Sequence, residues 1–274
     1  MKTLYLSDLD GTLLRSDETL SPYTSRTLNA LVSKGMLFSY ATARSVNTAK
    51  KVTNGLDAKI PLIVYNGTFI IDNVTLERIA THTFDIDEAA DIYYTLIHFG
   101  IYPIVYSLIG SSEKFSYDTR TLSLPLGEFI LSRKGDDRDN PLNSDENILK
   151  GDVFYFTCID ADEKLYPAYL TLKDKYNCLY QSDVYSDSRF LEILPSDVSK
   201  AKAALQLKEL YSCDEIVGFG DGLNDIPLLR AADRFYAVEN AHEDVKALAA
   251  AVIGSNNSDG VAKFLLEDFK NSEI

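Results

Sequence analysis

The stretch Ser7-Asp8-Leu9-Asp10-Gly11-Thr12-Leu13-Leu14 constrains this chain more than any other. It follows an apolar run, Leu4-Tyr5-Leu6, that is too brief for a helix and reads as a buried strand. Two carboxylates two residues apart, then a glycine, stand where that strand ends. In an open α/β sheet, ligands gather just outside the carboxyl ends of the strands. Aspartates placed there can hold a divalent cation, and one of them can also attack an electrophile. A solvated Asp-Gly turn would show the same spacing. The rest of the chain has to decide between the two.

Downstream, the same pattern recurs. Ser21 is an N-cap candidate with Pro22 as the first helical residue, Leu28, Leu31 and Val32 supply an apolar face, and Gly35 ends the helix. Residues 36–41 (MLFSYA) form a second apolar run, which makes the opening a β-α-β unit, and Thr42-Ala43-Arg44-Ser45 follows at its carboxyl end. Residues 61–65 predict a third strand, and residues 68–83, broken at Asp72-Asn73, a hairpin at the sheet margin. Near Phe84 the texture changes to a Tyr-rich α+β region. It has an amphipathic helix over 85–100, strands at 101–108, 114–117 and 152–159, a polar loop over 132–145, a helix over 163–176 and a short strand over 177–181. Residues 190–194 (FLEIL) are expected to return to the main sheet. Ser199-Lys200 then opens a helix, and the strand 215–219 runs into Gly220-Asp221-Gly222-Leu223-Asn224-Asp225. Helix, strand and helix follow to the end. The expected fold is a doubly wound, mostly parallel, Rossmann-like α/β core formed by residues 1–83 and 188–274, with an α+β domain inserted at 84–187.

Charge narrows the function. With 27 basic against 41 acidic residues the formal net charge is −14, and no basic run occurs, which argues against a nucleic-acid or anionic-membrane partner. A small phosphorylated substrate stays compatible, because a bound metal and a few local cations reverse the field inside one pocket. Cys158, Cys178 and Cys213 show no paired spacing, and His82, His98 and His242 no ligand spacing, so neither a disulfide framework nor a zinc site is expected. Asp8 interrupts the apolar start too early for a signal peptide, and no run reaches membrane-spanning length. A reducing cytoplasm is the expected setting.

Four stretches in order resemble the four motifs of the haloacid dehalogenase-like hydrolase superfamily: DLDGT at Asp8–Thr12, Thr42 after a buried strand, Lys200 opening a helix, and GDGLND at Gly220–Asp225. The flanking YNGT, ENAHEDVKALA and SDGVAKFLL are similar to the Cof-type branch, phosphatases with a type IIB α/β cap inserted between the second and third motifs. The resemblance implies Asp8 as the nucleophile that forms an aspartyl-phosphate, and Asp10 as the acid-base for leaving alcohol and incoming water. It implies phosphate binding by Leu9, Thr42, Ala43, Lys200 and Asn224. It also implies Mg²⁺ held by Asp8, the main chain of Asp10, Asp221 and Asp225. Ala43 and Ala201 stand where glycine is frequent in the family. The implied activity is hydrolysis of small phosphorylated metabolites. A sugar-phosphate mutase would use the same chemistry, and a phosphate-responsive receiver the same nucleophile; product analysis separates the first, and turnover the second.

Overall fold

The computed structural model describes residues 1–182 and 188–272. The chain folds into two units, residues 1–81 with 198–274, and residues 82–197. In chain order the first unit carries β1 (Thr3–Ser7), α1 (Pro22–Ser33), β2 (Leu37–Tyr40), α2 (Val46–Val52), β3 (Leu62–Val64), β4 (Phe69–Ile71) and β5 (Arg78–Thr81). Beyond the insertion come α3 (Lys200–Leu210), β6 (Glu215–Gly220), α4 (Ile226–Ala231), β7 (Arg234–Val238), α5 (Glu243–Leu248), β8 (Ala251–Ile253) and α6 (Gly260–Ser272).

Five of these strands make one parallel sheet in the order β8-β7-β6-β1-β2. β1 is an interior strand between β6 and β2, covered on both faces, which is why Leu4, Tyr5 and Leu6 are all buried rather than alternating in and out. Its neighbour β6 contributes buried Ile216, Val217 and Phe219. Strand order reverses across β1, so the ends of β1 and β6 open on one crevice. β3, β4 and β5 form a separate antiparallel sheet of three strands, joined to the end of β2 by a bridge between Ala41 and Ile63. Ser21 caps α1 as its sequence predicts, its hydroxyl accepting the amide of Thr24 at 3.0 Å.

The second unit is a six-stranded sheet with helices. Asp85 and Glu88 form a capping box on the helix Ile86–His98, whose Ile92 and Leu96 pack with Val105, Phe156, Cys158, Leu165, Leu191 and Ile193 into this unit's own core. Three expectations need correction. The strand Ser188–Leu194 does not return to the parallel sheet; it pairs antiparallel between Asn177–Ser182 and Asp152–Ala161. A five-residue apolar run looks alike in the middle of either sheet, so periodicity could not assign it. The insertion therefore runs from 82 to 197, not 84 to 187, and the expected edge at residue 187 lies outside the described residues. The polar segment 132–145 is not all loop: Asp139–Leu142 is an edge strand beside Ser112–Asp118, where Pro141 is tolerated. A helix at Leu124–Leu131, capped by Ser123, was not expected. Among the described residues no helix is long and apolar enough to cross a membrane.

Candidate active site

The ladder of β1 continues one residue past the strand, the Asp8 amide donating to the Phe219 carbonyl at 2.9 Å. The chain then closes a tight loop, the Leu14 amide reaching the Leu9 carbonyl at 2.8 Å. Gly11 permits that loop with φ +76°, and its Cα faces the Asp221 carboxylate so closely that a Cβ would collide with it. Thr12 then donates to Asp221 Oδ1 at 2.8 Å. A second close approach fixes the opposite side. Asn66 (φ 53°) and Gly67 (φ +103°) turn the chain after β3, and a Cβ on Gly67 would strike the Ser199 carbonyl. That packing seats the start of α3 and with it Lys200.

Lys200 is 1% exposed and bridges two carboxylates, its Nζ donating to Asp8 Oδ1 at 2.6 Å and Asp225 Oδ1 at 2.7 Å. Asp225 is completely buried and accepts the amides of Asp221 and Gly222 at 3.1 Å on its other oxygen. Asp8, Asp221 and Asp225 bring one oxygen each within 4.8 Å of the others. Three carboxylates against one ammonium leave two formal negative charges. Burial pushes the Asp8 carboxyl well above the usual carboxylate range, against the pull of Lys200 and with the repulsion of Asp225 and Asp221. Burial and the Asp225 charge raise Asp221 to about 6. Burial works against the charge on Lys200, yet Asp225 and Asp8 hold its pKa above the ordinary lysine value. Hard oxygen donors at this spacing fit a small divalent cation, across which opposite oxygens lie ~4.2 Å apart at bond lengths near 2.1 Å. The remaining two negative charges match it.

The other expected residues lie around this centre with different partners. The side chain of Asp10 is 47% exposed and stands outside the three-carboxylate group; Arg44 grips it through Nε at 2.8 Å and Nη2 at 2.6 Å. The same Nη2 also reaches Glu18 at 2.6 Å, and the hydrogen bond to Asp10 is the main cause of a raised Arg44 pKa. Thr42 is buried, and its hydroxyl accepts the Arg44 amide at 3.1 Å. Ala43 does not have a positive φ, so its methyl costs no backbone strain, and Ala201 lies in the first turn of α3. Leu9 is fully buried in the core. Asn224 folds its amide oxygen over Gly222. Sequence reasoning had not singled out Arg44, Glu18 or the Asn66-Gly67 turn as parts of the site. The polar run after β2 was the only signal for Arg44.

The sequence profile of the haloacid dehalogenase-like hydrolases matches residues 5–265, nearly the whole chain. The chain belongs to that family. Its fold is the family's α/β core with an inserted domain. A 5-amino-6-(5-phospho-D-ribitylamino)uracil phosphatase of Bacillus subtilis is 27% identical over 279 residues, covering 94% of this chain and 95% of that protein. A phosphoglycolate phosphatase of Methanopyrus kandleri is 26% identical over 268 residues, covering 97% and 96%. A Thermotoga maritima crystal structure shares the fold with a TM-score of 0.79 at 24% identity, over 98% of this chain and 97% of that one. A subclass IIB sugar phosphatase of the family superposes with a TM-score of 0.76 at 21% identity, over 98% and 99%. This hydrolase thus sits among phosphatases.

Proposed function

We propose that this hydrolase is a Mg²⁺-dependent phosphatase of small phosphorylated metabolites, acting through an aspartyl-phosphate on Asp8. The observation that carries the reading is the buried Lys200 bridging Asp8 and Asp225 beside Asp221. One carboxylate at the end of β1 is thereby held next to a fixed ammonium and a site for a divalent cation. Phosphoryl transfer depends on such positioning and charge neutralisation.

In this reading an Asp8 oxygen attacks phosphorus, and the bond from phosphorus to the ester oxygen breaks. Asp10 delivers a proton to the departing alkoxide, then takes one from the water that hydrolyses the acyl phosphate, so Asp8 and Asp10 return to their starting states. Lys200 and Thr42 hold the transferring oxygens, with Asn224 and the main chain around Leu9 and Ala43 completing the cradle. Asp8, Asp221, Asp225 and the main chain of Asp10 would hold Mg²⁺, which when bound neutralises phosphoryl charge and orients the Asp8 carboxylate. The two hydrogen bonds from Arg44 fix the orientation of the Asp10 carboxylate, two residues from Asp8 on the same loop. The named relatives act on phosphate esters of alkyl alcohols, which supports that substrate class here. Three free cysteines suit a reducing, cytoplasmic setting.

The test is phosphate release across a panel of sugar and other alkyl phosphates, in chelator and with Mg²⁺ restored, for the wild type and Asp8→Asn. The substitution removes the nucleophile and almost no volume, so the expected result is a folded protein without turnover. Wild-type rates in Asp8→Asn would remove Asp8 from the role, and full activity in excess chelator would remove the metal.

A further inference from the structure

Gly11 is the least restrained residue in the loop that carries Asp8 and Asp10, because glycine has the widest range of backbone conformations. Its geometry, φ 76° and ψ −8°, turns the chain from Asp10 into Thr12, whose hydroxyl donates to Asp221. Something must hold it. The Asn240 side chain donates from Nδ2 to the Gly11 carbonyl at 2.7 Å. Its other end, Oδ1, accepts the Asn256 amide at 3.0 Å. Asn256 is buried and sends its own Nδ2 to the Leu14 carbonyl at 3.0 Å. Two asparagines therefore clasp the loop at Gly11 and again at Leu14. Two residues beyond Asn240, the His242 amide donates to the Asp221 carbonyl at 2.9 Å. One short segment after β7 thus grips both sides of the carboxylate cluster, the loop by a side chain and Asp221 by the main chain.

Resting on the function proposed above, we infer that Asn240 is a positioning residue for the divalent-cation site. Its amide fixes the Gly11 peptide, and through it the register between the Asp8–Thr12 loop and Asp221. Asn240 itself touches neither the carboxylates nor a substrate. Its loss leaves Gly11 free to rotate, so the ligand set must be reorganised each time a cation binds. Residues one step removed from metal ligands typically cost about 10–100-fold in affinity or activity when removed. Asn257 belongs to the same stretch but clasps Ser16 instead, accepting its amide at 3.1 Å and donating to its hydroxyl at 2.9 Å. It is the natural control.

The experiment titrates apo wild type, Asn240→Ala and Asn257→Ala with Mn²⁺, following free Mn²⁺ by electron paramagnetic resonance. Steady-state kinetics on p-nitrophenyl phosphate with Mg²⁺ and a thermal melt accompany it. Asn240→Ala should bind Mn²⁺ about tenfold or more weakly and lose a comparable factor in kcat, with KM changed much less. Asn257→Ala should lower Tm while keeping wild-type Mn²⁺ affinity and kcat. If Asn240→Ala does not fold, Asn240→Asp keeps the size and the acceptor for Asn256 but lacks the donor, and its kcat should fall likewise. Wild-type Mn²⁺ affinity and kcat in the Asn240 variant overturn the inference, as do equal losses in Asn257→Ala, which would make the clasp a general support. A wild type that binds no Mn²⁺ overturns the metal-phosphatase reading, and this inference with it.

Discussion

Lys200 offsets part of the negative charge that three buried carboxylates bring into the interior. Its ammonium lies 2.6 Å from Asp8 and 2.7 Å from Asp225, both sheltered from water. Removing one member of a buried ion-pair network leaves uncompensated charge and costs about 3–5 kcal/mol. Lys200→Met keeps most of the stem but not the charge, so the unfolding free energy in urea without divalent cation should fall by about that amount. Saturating Mg²⁺ should recover part of the loss, because a cation that binds the folded state offsets carboxylate charge. Unchanged stability in chelator would mean that the three carboxylates are already protonated or solvated. Arg44 serves a different purpose, since its pair with Asp10 is partly exposed and worth less than a buried one. What it contributes is the bidentate geometry that orients the carboxylate.

At the scale of elements, the loops after β1, β2 and β6 and the start of α3 make the site, and the first and last of these depend on an absent side chain, at Gly11 and Gly67. The loop after β1 must pass within contact of Asp221, and only Gly11 allows this. For Gly11→Ala the expected outcome is a kcat loss of tenfold or more with a lowered Tm. The left-handed backbone costs a non-glycine residue about 1–2 kcal/mol before the collision with Asp221 is counted. Circular dichroism melts and phosphate-release assays on the same preparation would check it; retention of wild-type kcat would show that the loop adjusts freely. Ala43 occupies a position without positive φ, so its methyl adds no backbone strain there.

The whole molecule poses a different problem, because its first unit is assembled from chain ends separated by the insertion. Asp259 ties them together. Its carboxylate accepts from Arg15 at 3.1 Å and from Thr24 at 3.1 Å, and Ser21 donates to it at 2.5 Å. Burial alone would raise its pKa, but the hydrogen bonds of Ser21, Arg15 and Thr24 outweigh that and lower it. A carboxylate with a depressed folded pKa adds stability above its unfolded value of about 3.9, and that stability is lost as pH falls through the folded value. Asp259→Asn should therefore cost about 2 kcal/mol in urea unfolding at pH 7. The gap between variant and wild type should close as the pH is taken below about 4. A gap that persists unchanged at the lowest pH would show that packing, not charge, carries the contact. Arg234 fastens the last helix in a similar way, pairing with Glu215 at 3.0 Å and Asp268 at 2.8 Å.

The sequence by itself marked the parallel core, because strands buried on both faces are a local signal, and its motifs put Asp8, Asp221 and Asp225 at strand ends, which the fold gathers into one cluster. Ser21 before Pro22 was legible for the same reason, a cap being satisfied within one turn. It could not place Phe190–Leu194, since an apolar pentad carries no mark of which sheet will pair with it. Nor could it pair Arg44 with Asp10, separated by 34 positions, or Asn240 with Gly11, separated by 229. Those partnerships arise only when parallel strands from distant parts of the chain bring their carboxyl ends together. There a long side chain or an amide finds its partner by position in space, which no spacing along the chain encodes.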